Sequence, residues 1–157
     1  MKMKAEHVSP FIKSAKQTFL TMLGLNVQMG KLFLRGVDDK RQADISGIIG
    51  LSGDVKGAVI IGYPKATALA VVSKFIGEET TEINGDVTDA IGEITNIISG
   101  YAKKDMTEYN ISISLPSVIE GSDHQVHLPK DVPIMCVPMT SEAGEFIIEV
   151  SMKFKEE

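Results

Sequence analysis

The chain has 157 residues, 43% of them hydrophobic and 24% charged, with few aromatics and no Trp, enough apolar content for one core and too much for a disordered chain. A formal net charge of -5 argues against binding the phosphates of DNA or RNA, which needs clustered Lys and Arg. No apolar run approaches the roughly 20 residues of a membrane-crossing helix. The N-terminus lacks the apolar stretch of a secretory signal, so a cytoplasmic location is expected.

Ser9 and Pro10 read as the cap and first residue of a helix over 9–23, with Phe11, Ala15, Phe19 and Met22 recurring at helical spacing before Gly24. Short β-rich pieces follow at 26–34, 43–51 and 56–63, and Gly53-Asp54 suits the turn of a hairpin between the last two. Pro64 opens a second helix that Gly77 closes, and 78–85 is a polar connection. A third helix starts near Asp86, whose carboxylate can cap free amides, and runs to about Lys104, where Lys103 and Lys104 suit the negative end of the helix dipole. Strands are then expected at 111–119, around 125–128, at 134–140 and at 145–154. In the last, Phe146, Ile148, Val150, Met152 and Phe154 alternate with Ile147, Glu149, Ser151 and Lys153, the period of a sheet with one buried face. Pro133 and Pro138 favour an edge or irregular position. The whole chain, 1–157, reads as a single α+β domain with a largely antiparallel mixed sheet packed against long helices.

The chemistry concentrates on the third helix. At about 100° per residue Asp89, Glu93, Asn96 and Gly100 fall within about 60° of one another, in one polar stripe. Val87, Ala90, Ile91, Ile94, Ile97, Ile98 and Tyr101 occupy the opposite arc, which should bury against the sheet. No Lys or Arg stands four residues after Asp89 or Glu93, so the usual surface ion pair is missing. Gly92, Ser99 and Gly100 leave the stripe low and approachable, although a helical Gly costs about 1 kcal/mol relative to Ala.

Other candidates are weaker. His124 and His127, three apart in an expected strand, point to opposite faces with no acidic or Cys neighbours, so no metal site is assigned. The glycines from Gly47 to Gly57 lack the Lys-Ser/Thr ending of a P-loop and the spacing of a dinucleotide fingerprint. Cys136, the sole cysteine, sits in an apolar run and reads as a small core residue, and the eight methionines are dispersed as core filler.

The run from Asp89 through Glu93 and Asn96 to Gly100, followed by Pro116 in Ser114-Leu115-Pro116-Ser117-Val118, resembles the CheC/CheX/FliY family of bacterial chemotaxis phosphatases. That family's signature is Asp or Ser, three residues, Glu, two residues, Asn, and a Pro some twenty residues later. The stretch Gly50-Leu51-Ser52-Gly53, Lys56-Gly57-Ala58-Val59 and the helix from Pro64 to Gly77 is also similar, so the likeness covers about residues 45–120. The first helix has Ser14, Thr18 and Thr21 at the corresponding spacing and no Glu or Asn, which resembles the single-site CheX-type members more than the CheC type.

The resemblance implies a CheC-like fold and a phosphatase acting on the aspartyl phosphate of a response regulator receiver domain, commonly CheY, within two-component signalling. It also implies a homodimer joined through sheet edges. Glu93 would pair with the receiver's active-site lysine and Asn96 would position the attacking water, with Asp89, Gly92, Gly100 and Pro116 in support. The Mg²⁺ of such a reaction would belong to the receiver, leaving no cofactor on this chain. The alternative is a non-catalytic adaptor that docks on a receiver or flagellar switch component through the same helix.

Overall fold

A computed structural model describes residues 3–36, 42–121, 128 and 131–155. The expected strand around 125–128 and both His124 and His127 lie outside those residues, apart from Leu128. The elements run α1 (Ala5–Leu23), β1 (Val27–Met29), β2 (Phe33–Arg35), β3 (Ile45–Gly53), β4 (Val55–Tyr63), α2 (Lys65–Ile76), α3 (Gly85–Asp105), β5 (Ile111–Ile113), β6 (Ser117–Glu120), β7 (Ile134–Ser141) and β8 (Gly144–Phe154). No helix among the described residues is long and apolar enough to cross a membrane.

The strands form one eight-stranded sheet of order β1-β7-β8-β4-β3-β5, with β2 also on β7 and β6 also on β3. Every described pairing is antiparallel. Register puts the buried faces together: Val59 opposite Val150, Ile61 opposite Ile148, and Val137 opposite Ile148 on the other side. These residues, with Ile49 and Met139, meet Phe11, Phe19, Val72, Ile91, Ile94 and Ile98 from the helices in the main core. Phe19 stacks on Phe146 with centroids 4.6 Å apart, which ties α1 to β8. α1 also clasps α3, since the buried Ser14 Oγ donates to the Ile98 carbonyl at 2.7 Å.

Several boundaries differ from the sequence expectation. α1 begins a turn early, at Ala5, and Pro10 lies inside it rather than at its first position. The cap comes from His7, whose Nδ1 accepts from the Lys4 N–H at 2.8 Å, filling the place that Glu or Gln takes in a capping box. Asn84, not Asp86, caps α3: its Oδ1 accepts from the Val87 N–H at 3.1 Å. The Ile111–Ile119 strand breaks in two around Leu115-Pro116, and the 26–34 piece breaks between β1 and β2. Gly53, at φ 99, makes the expected tight turn between β3 and β4. Pro64 and Gly77 bracket α2 as expected.

β7 is an interior strand, and of the edge or irregular position expected for Pro138 the structure shows the irregular one. The proline is tolerated because it falls in the gap between the pairings with β1 and β2, where its carbonyl accepts from the Gly30 N–H at 2.7 Å. β8 is covered on both faces. Behind it Ala58, Ile60, Leu128, Ile134 and Cys136 form a second small cluster, and Glu149 is only 1% exposed, paired with Arg35. Cys136 is buried there as a core residue.

Candidate functional site

α3 lies across β3 and β6 with small residues at the points of closest approach. A Cβ on Gly47 would overlap the Thr95 side chain, and a Cβ on Gly92 would stand 3.3 Å from Val118 Cγ2 and 3.7 Å from Pro116. Thr95 is fully buried, and its hydroxyl donates to the Ile91 carbonyl at 2.7 Å, so it packs without an orphaned polar atom. The buried arc of the helix is therefore rotated toward Gly92, Thr95 and Ser99. Ile97 is half-buried and Tyr101 is 56% exposed, with Lys104 Nζ 5.3 Å from its ring centroid, so neither belongs to the fully buried face the periodicity suggests.

The opposite face carries the stripe. Asp89, Glu93 and Asn96 are all exposed and Gly100 is half-buried with open space where a side chain would be. Glu93 and Asn96, three apart on a helix, stand as neighbours with their Cβ atoms about 5–6 Å apart. Among the described residues neither has a hydrogen-bond or ion-pair partner; the ion pairs that are described, Lys13–Asp105, Arg35–Glu149 and Lys153–Asp131, lie elsewhere. A carboxylate and a carboxamide thus project side by side with their bonding capacity unspent.

Gly92 does not lie open beside the stripe as expected; it is buried beneath Pro116. Its role is to let the 114–116 loop seat against the helix, so Pro116 becomes the wall along one flank. That loop is fixed: the Ser114 N–H donates to the Gly50 carbonyl at 2.9 Å, and the Gly50 N–H donates to Ser114 Oγ at 2.8 Å. Asp89, Glu93, Asn96 and Gly100 share one face, as their spacing predicts, whereas the spacing gives no sign of the contact between Thr95 and Gly47. Thr95 is polar and breaks no apolar period, and Gly47 is one glycine among many, so only their contact reveals them.

The site is a projecting ridge. A cavity of about 470 Å³, lined by Phe33, Arg35, Gly62, Pro138, Ile147 and Glu149, opens on the face of the sheet away from the helices, and a second of about 340 Å³ lies between the start of α1 and the end of α3; neither is lined by Glu93 or Asn96. No cluster of three or more potential metal ligands occurs among the described residues. A convex surface bearing unpaired polar groups is suited to a partner that brings its own concave site.

Helices laid on one face of an eight-stranded antiparallel sheet, the longest of them presenting this ridge, define a CheC-like α+β protein. The family model described as "Chemotaxis phosphatase CheX" matches residues 45–140, which span both α3 and Pro116, and the chain belongs to that family. A curated relative, the CheY-P phosphatase CheX of Thermotoga maritima, is 28% identical over 127 residues, covering 79% of this chain and 81% of that protein. Among solved structures, the chemotaxis protein CheX from Vibrio vulnificus is 30% identical with a TM-score of 0.85, covering 95% of this chain and all of the other. The CheX of the CheX-CheY-BeF3-Mg²⁺ complex from Borrelia burgdorferi is 28% identical with a TM-score of 0.77, again over 98% of this chain and all of the other.

Proposed function

We propose that this chain hydrolyses the aspartyl phosphate of a CheY-like receiver domain by placing Glu93 and Asn96 into the receiver's active site. The observation that carries the reading is the exposure of these two groups together, without partners, on the helix matched by the family model. The names of the relatives support the same partner: one is a CheY-P phosphatase and another forms a complex with CheY.

An acyl phosphate is already reactive, so the catalyst has mainly to hold a water in line with phosphorus, and a hundredfold acceleration needs only about 2.7 kcal/mol. Asn96 can accept from and donate to that water without being a base, as the positioning glutamine of GTPases does. The water oxygen bonds to phosphorus as the acyl P–O bond breaks, returning the receiver's carboxylate and releasing inorganic phosphate. Glu93 pairs with a lysine of the receiver and anchors the helix. Asp89 supports the first half of the ridge, Gly100 keeps its end low, and Gly92 with Pro116 fixes its flank. The divalent cation that neutralises phosphoryl oxygens belongs to the receiver, and a cytoplasmic location is part of the same proposal. A homodimer belongs to the same proposal: the edge formed by β1 and β2 exposes Met29, Phe33 and Leu34, apolar surface that a sheet-edge dimer would cover.

The test is the decay of a phosphorylated receiver from the same organism. The wild type accelerates decay, and Asn96→Ala does not while still binding. If the wild type binds the receiver and leaves its decay rate unchanged, the chain is an adaptor and the enzymatic reading is wrong.

A further inference from the structure

We propose that Leu115 is an apolar anchor that sets affinity for the receiver, seated on the receiver's surface beside the pocket that Glu93 and Asn96 enter. Leu115 is 87% exposed, the highest among the exposed large hydrophobic residues described. A single exposed leucine is unremarkable on a mobile loop. This one is held rigidly. Its carbonyl accepts from Ser114 Oγ at 2.9 Å, and that hydroxyl also accepts from the Gly50 N–H at 2.8 Å. The Ser114 N–H is bonded to the Gly50 carbonyl at 2.9 Å. On the other side Pro116 restricts Leu115 to extended backbone and itself lies 3.7 Å from the Cβ position of Gly92.

The backbone of Leu115 is therefore fixed before any partner arrives, so docking costs little backbone entropy. Gly92 precedes Glu93 in sequence and stands one helical turn before Asn96, which places this loop along the flank of the ridge. A receiver that swallows the ridge must bring its surface down onto that flank. The inference rests on the proposed function, and the occupant is that same receiver, whose surface next to the pocket that takes Glu93 and Asn96 would carry an apolar depression. A fixed aliphatic side chain at the rim supplies area, while Glu93 and Asn96 supply orientation and chemistry.

Leu115→Ala and Leu115→Asp test this, with Leu115→Met as the conservative variant and Leu20→Ala, an exposed leucine on α1, as the control. Binding is read with the beryllofluoride-activated receiver and turnover with the phosphorylated one. Leu115→Ala is expected to raise Kd and KM by about 10-fold or more, with Leu115→Asp weaker still. kcat should stay within twofold, and Leu115→Met and Leu20→Ala should match the wild type. An active wild type whose Kd is unchanged by Leu115→Ala and Leu115→Asp overturns the anchor and leaves the phosphatase reading standing. A fall in kcat at constant KM overturns it too, by making the loop a positioner of Asn96. A wild type that neither binds nor dephosphorylates any receiver of its organism overturns both.

Discussion

Gly47→Ala puts the seating of α3 to the test. A methyl group on Gly47 would overlap Thr95 Oγ1 and lie 2.9 Å from Thr95 Cβ, with both residues buried between β3 and α3. Relief requires that α3 lift or that Thr95 change rotamer. Overpacking of this kind costs about 1–3 kcal/mol. A rotated Thr95 also gives up its 2.7 Å bond to the Ile91 carbonyl, and an unsatisfied buried hydroxyl costs a further 1–3 kcal/mol or so. A loss of about 2–6 kcal/mol is therefore expected, read as a fall of about 1 M or more in the urea midpoint.

Thr95→Ala removes the overlapping oxygen, so the double-mutant cycle should return a coupling of at least about 1 kcal/mol. Thr95 sits between Glu93 and Asn96 in the chain, and a displacement near 1 Å is worth about 100-fold in rate. The Gly47→Ala protein that remains folded should thus dephosphorylate a saturating receiver at least about 10-fold more slowly. A midpoint within experimental error of the wild type, or strictly additive energies, would refute the claim that this contact sets the height of the ridge.

Further outcomes follow from the buried polar contacts. Burial holds the His7 imidazole below its ordinary 6.5, with Lys4 pushing the same way and Glu6 and Glu108 opposing. The native state therefore favours the neutral ring that accepts from Lys4; this stability is fully present above pH 6.5 and is lost as pH falls through the lower folded value. His7→Gln keeps an acceptor without a titrating ring, so its urea midpoint should fall less than that of the wild type between pH 7.5 and 5; equal falls would contradict the assignment. Arg35→Met strips the guanidinium from the 2.6 Å pair with buried Glu149 and should cost about 3–5 kcal/mol in urea unfolding, much of it restored by Glu149→Gln in the same chain. A single variant as stable as the wild type would show that the pair carries no such energy.

What the sequence made legible was written in local chemistry. α2 is bracketed by Pro64 and Gly77, the β3–β4 turn by Gly53, and β8 by its alternation, each a signal a few residues long. What it hid depends on residues far apart. Glu149 reads as solvated until Arg35, 114 positions earlier in the chain, is found beside it. Pro10 reads as a helix start because a histidine cap at His7 is an uncommon device. The ridge was readable as a spacing of Asp89, Glu93 and Asn96, whereas its tilt was not. Large apolar side chains dominate the period, but the closest approaches are made by Gly92 and Thr95, and the exposure of Tyr101 is the consequence.

The proposed roles of Glu93 and Asn96, neighbours on α3, are separated by single-turnover kinetics at saturating enzyme, paired with Kd for the beryllofluoride-activated receiver. Asn96→Ala should lose at least about 100-fold in rate at an unchanged Kd, and Glu93→Ala should weaken binding by about 10-fold or more while keeping most of the saturated rate. A full rate for Asn96→Ala at saturation would show that Asn96 does not position the attacking water.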